Sequence, residues 1–308
     1  MGSCFRALLI GIGDYTDPAI SGLPCVDMDM ASLAPALEAA GYLVTIHDCT
    51  KSSLNGIRAG IHSFIAGACH GDTLLIYLNG HGVHHAGNDY LVPADANISY
   101  QPFVDLCLPI NWNHTIEQSH AGDVIVFIDA CREGFDEQAK QLSGRIGWST
   151  GKVGRVAGRR VAYIYACSPG QVARFVHTPD GSFSLFTRAL INLIAKVDRP
   201  ITLADLLQPI QSQLDELILA HSTGLQIIRP LGEGDYAELV LFPASILDDR
   251  QNLSPKDLPQ RLDVDPDVWL QDLAALDKAR DLIDPSVHRE FQRLILSKRF
   301  GLEGKFNE

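Results

Sequence analysis

Two segments decide the fold: Thr73-Leu74-Leu75-Ile76-Tyr77-Leu78-Asn79-Gly80-His81-Gly82 and Asp123-Val124-Ile125-Val126-Phe127-Ile128-Asp129-Ala130-Cys131-Arg132. Each opens with a short apolar run that lacks the polar alternation of a half-exposed strand, so each reads as a parallel strand buried on both faces. Outward from them, Phe5 to Ile12, Leu43 to His47 and Val161 to Ala166 read as further strands, and Glu238 to Phe242 is a candidate sixth. Apolar residues at three-and-four spacing predict helices over Asp27 to Ala40 and Ser53 to Ala66, with Gly41 and Gly67 as left-handed caps. Two more helices are predicted, over Ser184 to Ala195 and over Leu203 to Leu219, the latter started by Thr202 with Asp205 three residues on. Strands alternating with helices predict an α/β fold.

The chain has 308 residues, 46% of them apolar and 20% charged, which excludes wholesale disorder and a stapled mini-protein. The net charge of −12 has the wrong sign for a protein that tracks phosphate backbones, so nucleic acid is not an expected partner. Seven scattered cysteines without a CxxC pair read as reduced thiols. The apolar run from Ala7 to Ile12 is too short to cross a membrane and has no cleavage pattern. The expected location is the cytoplasm, without a membrane partner.

Functional side chains in open α/β sheets gather beyond the carboxyl ends of the strands. There the two deciding segments carry His81 and Cys131. If the strands are neighbours, the two side chains share one crevice. A thiol near its ordinary pKa of about 8.5 is a poor nucleophile at neutral pH, and an adjacent imidazole can take its proton and later protonate a leaving amine. Backbone N–H groups at Gly82 and Cys131 are candidate donors to the oxyanion of a tetrahedral intermediate.

At these residues the chain resembles the caspase-like cysteine peptidases, the group of caspases, metacaspases and bacterial relatives. The resemblance also takes in Leu8 to Tyr15, Leu23 to Leu33 and Tyr165 to Gly170, in family order from about residue 5 to 243. It implies a caspase-like fold, a mostly parallel six-stranded sheet sandwiched by helices, with His81 as general base and acid and Cys131 as nucleophile. It implies no third triad residue, no cofactor and no metal, with protein or peptide substrates. A bacterial origin in a defence or regulated-death pathway, and an upstream activating protein, are further expectations.

The same resemblance assigns a substrate pocket. Relatives that cut after aspartate place glutamine two residues before the nucleophile, whereas metacaspase-like members place aspartate there and cut after Arg or Lys. This chain has Asp129, and Asp29 matches a second pocket acid; Cys25 and Ser168 complete the expected pocket. Two carboxylates suit a cation, and Arg over Lys for its bidentate geometry. Arg174 departs from relatives that carry an acid nearby, and it either neutralises a pocket acid or points to solvent.

The expected division is a peptidase domain over 1–245 and a helical extension over 246–308. Within the former lie a large-subunit-like part (1–134), a cleavable linker (135–160) and a small-subunit-like part (161–245). The linker holds Lys140, Arg145, Lys152, Arg155, Arg159 and Arg160 as candidate autoprocessing sites.

Blander readings stand beside these. A lone cysteine or histidine is more often a packed or satisfied side chain than a catalyst. His84 and His85 near His81 raise a zinc site, but no carboxylate-backed histidine pair on a helix supports it. Calcium activation is known among metacaspase-like proteins, yet Asp14, Asp17, Asp27 and Asp29 also suit turns and helix starts. The rival functions are a catalytically silent scaffold that recruits a partner and a small-molecule-binding protein using the same crevice.

Overall fold

Strand residues alternate between two faces, and in this chain both faces are apolar, so the central strands must be covered on both sides. The computed structural model describes residues 4–48, 51–130, 159–168, 171–179, 181–233 and 235–242. In chain order the main elements are β1 (Phe5–Gly11), α1 (Val26–Ala39), β2 (Leu43–Ile46), α2 (Leu54–Ala66) and β3 (Thr73–Gly80). A small antiparallel sheet follows, formed by β4 (Gly82–His85), β5 (Asn88–Leu91) and β6 (Leu108–Pro109), then α3 (Asn113–Gln118) and β7 (Asp123–Ala130). After them come β8 (Arg160–Tyr165), the hairpin β9 (Phe175–Thr178) and β10 (Gly181–Ser184), and α4 (Leu185–Ile194). The described chain closes with β11 (Ile201–Thr202), α5 (Leu203–Ala220), β12 (Arg229–Glu233) and β13 (Val240–Phe242).

The six-stranded sheet runs in the order β12-β8-β7-β3-β1-β2 and is parallel except for β12, which pairs antiparallel with β8. Ala7, Leu9, Leu75, Tyr77, Ile125 and Phe127 turn to the face covered by α1, α4 and α5. Leu8, Ile10, Leu74, Ile76, Val124 and Val126 turn to the face covered by α2 and α3. Gly11 lets α1 come close, since a Cβ there would lie 2.6 Å from Val26 Cγ1. Removing one methylene from this core, as in Ile125→Val, is expected to cost about 1 kcal/mol, read as a lower urea midpoint.

Two local expectations change. Glu238 to Phe242 does hold a strand, but β13 pairs with β11 outside the main sheet, and the sixth strand is β12. Pro230 and Gly232 disguise β12 in the sequence, yet proline is tolerated on an antiparallel edge. Gly41 adopts the left-handed conformation at φ 94°, whereas Gly67 sits at φ −81°, so α2 ends without a left-handed cap. Thr202 and Asp205 form the expected reciprocal cap on α5. No helix among the described residues is long and apolar enough to cross a membrane. Residues 243–308, with the expected extension, lie outside the described residues.

Candidate active site

β3 and β7 are direct neighbours in parallel register, with Leu78 opposite Ile128, Asn79 opposite Asp129 and Gly80 opposite Ala130. His81 and Cys131 each follow the last pair of that register. The two strand ends that precede His81 and Cys131 in the sequence are therefore adjacent in the sheet. Cys131 itself lies outside the described residues, as do Lys140, Arg145, Lys152 and Arg155.

His81 is held from two sides. Its backbone N–H donates to the Tyr15 hydroxyl at 2.9 Å, and its ring lies 5.1 Å from the Tyr15 ring. Its Nε2 is 2.8 Å from the carbonyl oxygen of Ser21. A carbonyl only accepts, so Nε2 carries the proton and Nδ1 of the neutral ring carries the lone pair. Burial pushes the imidazole below its usual pKa, partly offset by the Ser21 carbonyl. A backbone carbonyl therefore orients the ring, a role no third side chain was expected to fill.

Gly82 shows why glycine suits the next position. The Val92 N–H donates to the His81 carbonyl, one step beyond the β4–β5 ladder and in its hydrogen-bonding phase. Pairs alternate along an antiparallel ladder, so Gly82 opposite Leu91 is a non-bonded pair and its N–H turns away from β5.

Strand parity explains the acids. Asn79 and Asp129 continue the face of Tyr77 and Phe127, the face on which α1 and α4 pack, so Asp129 meets residues of both helices' surroundings. Asp29 of α1 and Asp129 are 2% and 3% exposed. Asp29 accepts from Asn79 Nδ2 at 3.0 Å and from the Ser184 N–H at 3.0 and 3.2 Å. Asp129 Oδ2 accepts from Ser184 Oγ at 2.5 Å, Thr187 Oγ1 at 2.8 Å and the Tyr77 hydroxyl at 3.1 Å. The Tyr77 and Thr187 hydroxyl oxygens also touch, and since each hydroxyl has a single proton, that contact and Asp129 share the two protons between them.

Burial first, and the charge of Asp129 second, raise the Asp29 carboxyl to about 7, against opposing hydrogen bonds from Ser184 and Asn79 and the charge of Arg188. Asp129 is raised by burial and held back by its three hydroxyl donors. Among the described residues no Lys or Arg lies within ion-pair distance of either acid. Arg188 instead stacks 4.4 Å over the Phe183 ring.

Cys25 lies near this group: its thiol is buried and is pushed up by burial first and then by the charges of Asp29 and Asp129. The Ser168 hydroxyl donates to the Ile227 carbonyl at 3.2 Å. Arg174 takes neither expected role. Its guanidinium packs across Gly224, where a Cβ would meet it at 2.7 Å, and its backbone N–H donates to Gln226.

Arg159 and Arg160 are anchored. Arg159 donates to the Ile116 carbonyl and to Ser119, and Arg160 forms a forked pair with Asp123 at 2.8 and 2.7 Å. His84 pairs with Asp89 at 2.7 Å in the β4–β5 hairpin. Asp17 holds the Ala19 and Ile98 amides, as a turn carboxylate does. The sequence reading missed Tyr15, Ser21, Tyr77, Asn79, Ser184 and Thr187. Parity along β3 was the available signal for Tyr77 and Asn79, and the cap position before α4 for Ser184.

A model of the caspase domain matches residues 4–227. Among solved structures, the chain is similar to protein GSU0716 from Geobacter sulfurreducens, with TM-score 0.53, 14% identity, and 78% of this chain and 99% of that one covered. It is also similar to caspase-1 from Spodoptera frugiperda, with TM-score 0.50, 18% identity, and coverage of 79% and 89%. At these identities the likeness is one of fold. No curated protein matches the chain. The matched stretch runs from before β1 almost to β12 and contains both deciding strand ends, so the chain belongs to the caspase-domain family of cysteine peptidases.

Proposed function

We propose that the protein is a cysteine endopeptidase that cleaves after Arg, and less readily after Lys, with Cys131 as nucleophile and His81 as general base and acid. The observation that carries it is the register of β3 against β7, which aligns Asn79 with Asp129 and leads both strands into the two reactive residues. The thiolate attacks the scissile carbonyl carbon, and the electron pair moves onto oxygen, where the Gly82 and Cys131 N–H groups would meet it. Collapse expels the amine, which takes the proton from His81, and water then releases the acid by the same steps in reverse order. A thiol and an imidazole suffice for this chemistry.

Asp29 and Asp129 support a basic residue before the cleaved bond. Two buried acids with no paired cation among the described residues are unfavourable until a guanidinium or ammonium arrives, and an aspartate would be repelled. Autoprocessing, as proposed, falls at Lys140, Arg145, Lys152 or Arg155. Cutting beside Arg159 or Arg160 would disrupt their bonds to Ile116, Ser119 and Asp123. An upstream protein that triggers this cut is a further part of the proposal.

The test presents fluorogenic peptides ending in Arg, Lys or Asp to the full chain, with a peptidyl-arginine chloromethyl ketone as a covalent probe. Cleavage in the order Arg, Lys, then none for Asp, with the label mapped to Cys131, is expected. Preference for Asp would overturn the pocket reading, and a label elsewhere with no cleavage would leave the scaffold function standing.

A further inference from the structure

We infer that Ser184 and Thr187, at the start of α4, are positioning residues that set the selectivity for a basic side chain by fixing Asp129, an inference that rests on Asp29 and Asp129 being the pocket acids. Every hydrogen bond to Asp129 among the described residues falls on one oxygen, Oδ2, from Ser184, Thr187 and Tyr77. With these bonds on Oδ2, Oδ1 is the oxygen that the inference assigns to the ligand.

The choice of donor matters as much as its place. An Arg or Lys holding Asp129 would fix it but cancel its charge. Hydroxyls fix it with oriented dipoles and leave the negative charge uncompensated, so the cation must come from the substrate. Ser184 extends the device to the second acid, since its backbone N–H holds Asp29 while its side chain holds Asp129. Ser184, Thr187 and Tyr77 are 3%, 0% and 0% exposed, so water does not compete for these bonds.

The helix start supplies the geometry. Ser184 is the N-cap of α4 and accepts from the Thr187 N–H at 3.5 Å, which places the two side chains on the same side of the first turn. The acids come from chain positions before residue 131 and the hydroxyls of α4 from positions after residue 158. The two halves of the proposed pocket are therefore joined by Ser184 and Thr187 rather than by a shared element.

Thr187→Val, which keeps the shape and removes the hydroxyl, tests this with peptides ending in Arg or in citrulline, its neutral isostere. The ratio of kcat/KM for Arg over citrulline is expected to fall about tenfold, through KM, with kcat within about twofold of wild type. Thr187→Ser is expected to restore the ratio to within about threefold. Alkylation of Cys131 by iodoacetamide, which carries no basic group, is expected to proceed at the wild-type rate, so that a general loss of fold would be seen as such. An unchanged ratio in Thr187→Val, or no rescue by Thr187→Ser, would overturn the inference while leaving the pocket acids standing. A wild-type protein that treats Arg and citrulline alike, in cleavage and in labelling by the corresponding chloromethyl ketones, would overturn both.

Discussion

Cys131→Ala is expected to abolish peptide cleavage, and His81→Ala to lower kcat by about 10³-fold with the fold intact. The cysteine supplies the only atom that bonds to the acyl group in the proposed route, so its loss leaves no partial mechanism. The histidine's share follows from its surroundings. The Ser21 carbonyl fixes the proton on Nε2 and burial pushes the imidazole below its usual pKa, so in the proposed route Nδ1 is the nitrogen that takes the thiol proton. Without it the thiol ionises only by its own acidity, near pH 8.5. The pH–rate profile of His81→Ala is therefore expected to climb toward alkaline pH, where wild type is level. Wild-type kcat at pH 7 in His81→Ala would remove the histidine from the mechanism.

Asp29→Asn is expected to lower kcat/KM for Arg peptides by about 10²-fold, because a buried cation would lose one of its two counter-charges. Wild-type kcat/KM should fall as pH drops through about 7, where Asp29 takes up a proton, and Asp29→Asn should lack that limb. The same group has an opposite effect on stability. Its folded value, about 7, lies above the ordinary 3.8, so the folded state binds the proton more tightly than the unfolded chain does. Stability is then lost as pH rises from about 4 to about 7, and from pH 8 upward the full penalty applies. Three units correspond to about 4 kcal/mol. Asp29→Asn should therefore melt above wild type at pH 8 and close to it at pH 4, while being the poorer enzyme. Equal melting temperatures at pH 8 would show that the carboxylate is not under strain.

The deciding strands were legible because burial on both faces leaves an unbroken apolar run, and β1, β3, β7 and β8 all carry one. β12 was not, because Pro230 and Gly232 break the run, and an edge strand takes its stability from pairing with β8 rather than from its own composition. Asp29, Asp129 and Cys25 were picked out by the family resemblance, and in the structure they lie close enough for the two acids to raise the thiol and for Asp129 to raise Asp29. Ser168 was picked out by the same resemblance, but the partner of its hydroxyl, the Ile227 carbonyl far along the chain, was not legible in the sequence. Ser184 and Thr187 were hidden for a similar reason. A serine before an apolar helix reads first as a cap, which it is, and its second role depends on a strand 55 residues earlier.

The turn before α1 has a consequence for anyone who would redesign this protein. Ser21 holds the imidazole and Asp29 lines the proposed pocket, and they are separated by less than one short helix's length of chain, with Cys25 between them. Turnover and taste are thus written in adjacent letters. A library that varies this stretch to admit a new side chain will disturb the tether of the base in the same clones, so gains in scope and losses in rate should arrive together. Variation at the start of α4, which reaches the acids from a separate stretch of chain, offers a way to change one without the other.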